Sequence, residues 1–146
     1  LFFTGFSRFS SDIQVAAEKN LKSKQNQLLE MLSLVDDAEK ILTSKTDLEE
    51  FGRLLDYTWQ LKRGITDKVS TDSIDAVYSR ALQAGATGGK LLGAGGGGFL
   101  LFYVDPDKQE NVRKALENLL YVPFEFENGG TRVIHYTPES YEPVNA

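Results

Sequence analysis

The chain has 146 residues, enough for one compact domain with a proper core and too few for two. Sixteen Lys and Arg stand against 21 Asp and Glu, a net charge of -5, which argues against a dedicated nucleic-acid or anionic-membrane binder, so any phosphate has to be held locally. The absence of Cys and a single His exclude disulfides, thiolate metal sites, cysteine nucleophiles and a histidine metal cluster, and fit a reducing, cytoplasmic setting.

Leu1-Phe2-Phe3-Thr4-Gly5-Phe6 reads as a first β-strand. It opens on Leu with no basic region before it, so no signal peptide is expected and the chain reads as a piece of a longer protein. No apolar run approaches the ~20 residues of a membrane span. Ser11-Asp12-Ile13-Gln14 has the form of a capping box and predicts a helix start. Ile13, Ala17, Leu21, Leu28, Leu32, Val35 and Leu42 then recur at helical spacings, the expected core face of one long helix or of two in line.

A second capping box, Thr46-Asp47-Leu48-Glu49, predicts another helix with Leu48, Phe51, Leu55, Thr58, Leu61 and Ile65 on one side and Trp59 at its edge. Within Ser70-Thr71-Asp72-Ser73 lie several possible caps for a third helix, whose face is Ile74, Val77, Tyr78, Ala81, Leu82 and Gly85 and whose end falls at Gly85 or at Gly88-Gly89. Lys90-Leu91-Leu92 and Phe99 to Val104 read as strands on either side of a glycine tract. Asp105-Pro106 supplies a cap and an N1 proline for a fourth helix with the stripe Val112, Ala115, Leu116 and Leu119. Phe124 to Glu127 alternates, Gly129-Gly130 makes a turn, and Arg132 to Tyr136 reads as the returning strand of a hairpin. This order implies an α+β fold with helices stacked on one face of a small antiparallel sheet.

The tract Gly93-Ala94-Gly95-Gly96-Gly97-Gly98 is the candidate site. Five glycines in six positions carry an entropic cost, and they open the main-chain N–H groups to close approach by a ligand. Converging N–H groups make a nest suited to phosphate oxygens. Linkers are normally bordered by polar or Pro-rich sequence, whereas this tract lies between apolar strands. Gly93-x-Gly95-x-x-Gly98 satisfies the dinucleotide spacing, yet a strand follows it where a helix is required. The P-loop pattern also fails, since Gly89-Lys90 precedes Leu91 and position 84 is Ala.

Gly85 to Phe99, with the sequence GATGGKLLGAGGGGF, resembles the third conserved motif of the GHMP kinases, the superfamily of galactokinase, homoserine kinase, mevalonate kinase and phosphomevalonate kinase. Phe3-Thr4-Gly5-Phe6-Ser7-Arg8 and the continuation Leu101-Phe102-Tyr103-Val104 make the chain similar to the sugar-kinase branch that includes D-glycero-D-manno-heptose 7-phosphate kinase and fucokinase-like proteins. The resemblance spans nearly the whole chain and implies the C-terminal domain, residues 1–146, a ferredoxin-like antiparallel sheet with added helices.

The same resemblance implies ATP with Mg2+ as cofactors of the full-length enzyme, a sugar or sugar-phosphate substrate, and a missing N-terminal domain as partner. That domain carries the main nucleotide loop; no Pro-x-x-x-Gly-Leu-Gly-Ser-Ser pattern occurs here. The isolated chain, with no catalytic residue or metal ligand of its own, is then expected to be inactive. Gly93, Ala94, Gly95, Gly96, Gly97 and Gly98 are the phosphate- or substrate-binding candidates, with Ala94 contributing backbone only. Lys90, directly before the tract, and Arg8, which could grip a phosphate bidentately, are secondary candidates whose ordinary roles are a solvated strand flank and a surface salt bridge. His135 is expected to be structural, and Asp36-Asp37 and Glu49-Glu50 to be solvated. The alternatives are an autonomous ferredoxin-like module that holds a small anion or regulates a partner, and a structural domain whose glycines serve only close packing.

Overall fold

The structure, a computed structural model, describes residues 1–5 and 10–137. In chain order the elements are β1 (Phe2–Phe3), α1 (Ser10–Asn20), α2 (Gln25–Thr43), α3 (Glu49–Arg63), α4 (Asp72–Gln83), β2 (Ala86–Leu91), β3 (Phe99–Val104), a 3-10 turn (Pro106–Lys108), α5 (Gln109–Ala115) and β4 (Leu120–Tyr121). The strands form one antiparallel sheet in the order β2-β3-β1-β4, with Phe2 opposite Leu100 on one side and Tyr121 on the other. This is the ferredoxin-like strand order, with helices inserted between the first strand and the second. Among the described residues no helix is long and apolar enough to cross a membrane.

Two apolar clusters hold the domain. Phe2, Ala81, Ala86, Val112 and Leu116 join α4 and α5 to the sheet, and Ile13, Trp59, Val69, Ile74, Tyr78, Leu91 and Leu100 bring four helical and loop segments onto β2 and β3. Trp59, expected at a helix edge, is 0% exposed and lies at the centre of the second cluster. Full burial of a side chain such as Leu100 is worth about 1.5–3 kcal/mol.

Helix α3 approaches β2 closely because neither surface carries a Cβ at the contact. A Cβ on Gly88 would lie 2.0 Å from the Gly52 carbonyl oxygen and 3.0 Å from the Asp56 Cβ. Gly88 and Gly89, read as possible helix terminators, therefore belong to a strand that begins at Ala86; the helix ends at Gln83, and Gly85, at φ +112°, makes the reversal. The outward backbone of edge strand β2 is capped by a side chain. The Gly89 N–H donates to the Tyr78 hydroxyl at 3.1 Å, and that hydroxyl donates to Asp56 Oδ1 at 2.6 Å.

The caps follow the sequence in part. Thr71 Oγ1 accepts from the Ile74 N–H at 3.3 Å, as expected for α4. At α3 the expected Thr46 cap does not form: Leu48 holds the N-cap position without a side-chain bond, Asp47 Oδ1 accepts from the Glu49 N–H at 3.0 Å, and Thr46 pairs with Ser44. Helix α1 starts at Ser10, one residue before the expected cap. Pro106 opens the 3-10 turn before α5 as an N1 proline should, and Asp105 turns to Lys108 Nζ at 3.2 Å instead of capping.

Two larger expectations are overturned as well. The hairpin over Phe124 to Tyr136 does not form: the last paired strand is only Leu120–Tyr121, and Phe126 and Ile134 are 90% and 93% exposed. A free two-stranded hairpin is marginal in water, and Glu127 instead bends the chain locally by accepting from the Gly129 N–H and pairing with Arg132. His135 is accordingly in an exposed irregular segment, where its Nε2 meets the Thr137 hydroxyl. The stretch from Ile13 to Leu42 forms two helices, the second of the two expected alternatives, and the other correction concerns α2, which buries no residue. Its half-buried residues include Gln27, Met31, Leu34, Ala38 and Ile41, on the face that meets α3 through the Gln27 bond to the Leu61 carbonyl, whereas Leu32, Val35 and Leu42 of the expected core stripe face solvent.

Candidate functional site

The glycine tract is a surface loop between antiparallel strands, closed at its base by the Leu92 N–H bond to the Phe99 carbonyl at 2.9 Å. Gly93, Gly95, Gly96 and Gly98 have φ values of +76°, +120°, +71° and +107°. A chain of L side chains would pay for each of these, which is why the tract is glycine and not merely small.

Long-range contacts pin the loop. The Gly96 N–H donates to the Val69 carbonyl at 2.8 Å, and a Cβ on Gly95 would lie 2.8 Å from that same oxygen. Ala94 packs its methyl group against the cluster around Trp59 and Val69. At the other end, the Gly98 N–H donates to Thr4 Oγ1 at 3.1 Å, and the Thr4 N–H donates back to the Gly98 carbonyl at 2.9 Å. Lys62, on the last turn of α3, reaches the near end: its Nζ donates to the Gly93 carbonyl at 2.5 Å and the Leu91 carbonyl at 3.3 Å.

These anchors consume two of the tract's six N–H groups. Those of Gly93, Ala94, Gly95 and Gly97 find no acceptor among the described residues. Space is open at Gly93, where an added Cβ would meet nothing within 4 Å. The loop is therefore held from behind, while part of its donor set has no acceptor among the described residues. Positive charge accompanies it. Burial lowers the Lys62 pKa below the ordinary lysine value, and the charge of nearby Lys90 lowers it further.

Among the sequence candidates, the structure brings Gly93, Ala94, Gly95, Gly96, Gly97, Gly98 and Lys90 together at one end of β2 and β3. Arg8 lies outside the described residues. Thr4, Lys62 and Val69 were missed. Nothing in the spacing singles them out, because they meet the loop across 94, 31 and about 27 positions of chain. Among the described residues no group of three or more His, Cys, Asp or Glu gathers as metal ligands. The tract itself contains no carboxylate.

Fold and loop together define a ferredoxin-like α+β domain that presents a pinned glycine loop between edge strand β2 and its neighbour β3. The chain belongs to the GHMP kinase family: residues 17–122 match the family model described as GHMP kinases C terminal. It is 35% identical over 118 residues to the D-glycero-alpha-D-manno-heptose 7-phosphate kinase of Campylobacter jejuni, covering 80% of this chain and 34% of that protein. It is 34% identical over 122 residues to the mevalonate kinase of Pyrococcus abyssi, covering 79% of this chain and 36% of that one. The crystal structure of L. major mevalonate kinase in complex with R-mevalonate shares the fold, with a TM-score of 0.67 and 24% identity over 80% of this chain and 36% of that one. The chain thus spans about a third of the length of these relatives.

Proposed function

We propose that this chain is the C-terminal domain of an ATP-dependent sugar or sugar-phosphate kinase, and that its glycine loop completes the phosphate and substrate site at the interface with an N-terminal domain. The observation that carries the reading is the pinned loop with unspent N–H donors, set in a domain of the GHMP kinase C-terminal family. The likeness to a heptose 7-phosphate kinase supports a sugar-phosphate acceptor over mevalonate. Phosphoryl transfer is catalysed mainly by positioning and by stabilising charge on the equatorial oxygens. Preorganised main-chain donors do this without reorganising during the reaction. Gly93, Ala94, Gly95 and Gly97 would supply such donors, and Lys90 a nearby positive charge. The principal nucleotide loop, the catalytic base and the magnesium ligands belong to the N-terminal domain in this reading, and the enzyme works in the cytoplasm.

The test is calorimetry, with ATP and magnesium titrated into this chain and into the full-length kinase. Binding by the full-length protein alone is the expected result. Tight binding by the chain alone would establish an autonomous anion-binding module instead, and silence from both would leave the glycines as packing devices.

A further inference from the structure

Helix α2 presents two apolar stripes and only one is covered. The residues Gln27, Met31, Leu34, Ala38 and Ile41 turn toward α3, while Leu32 is 66% exposed and Val35 60%, with Leu42 beyond them and half-buried Leu28 before them. Over the 19 residues of α2, about 28 Å of helix, this is an unpartnered seam and not a scatter of single exposed residues.

The seam is palindromic. A two-fold axis crossing α2 between Met31 and Leu32 sets Leu28 of one copy against Val35 of the other and brings the two Leu32 side chains together at the centre. It also sets Lys24 against Glu39, twice per pair. No like charges face each other in this register: Asp36 meets Gln27 and Asp37 meets Asn26. Self-complementarity of this kind is what an isologous interface requires. We infer that the open face of α2 binds a second copy of this chain, as an antiparallel α2–α2 pair with its apolar centre at Leu28, Leu32 and Val35 and the Lys24–Glu39 pairs at its rim. The inference is independent of the kinase reading and of the glycine loop.

Sedimentation velocity on the 146-residue chain, run over a range of concentrations, tests it. A monomer–dimer equilibrium is expected. Leu32→Lys with Val35→Lys, at positions mostly exposed in the monomer, should leave only monomer with an unchanged far-ultraviolet circular dichroism spectrum, and Leu32→Ser with Val35→Ser gives the same readout should the lysines disturb the helix. Lys24→Glu should raise the dissociation constant about five-fold or more, since both rim pairs become repulsive. Lys24→Glu combined with Glu39→Lys should restore it. A chain that stays monomeric at all concentrations overturns the inference, the face then being covered by another segment of the longer protein. A dimer that survives the Leu32 and Val35 changes overturns it too, as does a charge swap that does not restore affinity.

Discussion

Replacing Gly95 by Ala should damage the domain far more than replacing Gly93 by Ala, although both glycines belong to one loop and both have positive φ. At Gly93, φ is +76° and an added methyl meets no atom within 4 Å, so the cost is that of the left-handed conformation, about 1 kcal/mol. At Gly95, φ is +120°, and the methyl would sit 2.8 Å from the Val69 oxygen and 2.9 Å from its Cα. Both neighbours are backbone, so no side-chain rotation relieves the clash. The loop must lift from Val69, which also loses the Gly96 bond to the Val69 carbonyl, worth about 1 kcal/mol. The total is about 2–4 kcal/mol for Gly95→Ala. Urea denaturation of both variants at constant m-value measures the difference directly. Equal losses, within about 0.5 kcal/mol, would mean that Val69 does not support the loop, and the argument from anchoring would fail.

Other outcomes follow from the contacts around the loop. Tyr78→Phe should cost about 1.5–3 kcal/mol in the same assay, because it strips the buried Gly89 N–H of its acceptor and Asp56 of one of its two donors. Burial first, and then the bond to Asp56, raise the Tyr78 pKa well above its ordinary value of about 10. The unfolded chain therefore gives up this proton before the folded one, so the Tyr78 contribution is constant below pH 10 and stability falls by up to about 1.4 kcal/mol per pH unit above it. In Tyr78→Phe that component of the alkaline slope should vanish. Lys62→Met should change global stability by about 1 kcal/mol or less yet speed amide hydrogen exchange several-fold at Leu92 and Gly96, the hydrogen-bonded amides at the base and middle of the loop, since only the local tether is removed.

The legible parts of the sequence were those governed by local rules. Thr71 before an apolar-periodic run marked α4, Pro106 marked the turn into α5, and glycines between two apolar runs marked a strand-loop-strand element, all present in the structure. Illegible were the features decided by distant neighbours. Gly88-Gly89 read as punctuation, because the need for a bare strand surface arises only when Gly52 is pressed against it. Periodicity showed that α2 carries apolar stripes and could not show which stripe α3 covers. Alternation at Phe124 to Glu127 satisfied the strand pattern without a sheet edge long enough to receive it. The candidate site divides the same way: its donors were legible as glycines, and its anchors Thr4, Lys62 and Val69 were not.

The most direct measurement is steady-state phosphoryl transfer, the activity proposed for the full-length protein, with Gly97→Val in place. Gly97 lacks a positive φ, and its N–H is one of those left without an acceptor among the described residues, so a side chain there burdens the approach to the donors more than the loop's conformation. The expected result is a fall in kcat/KM of about 100-fold or more with the denaturation midpoint little changed. Wild-type turnover in a folded Gly97→Val enzyme would contradict the assignment of the loop to the phosphate site.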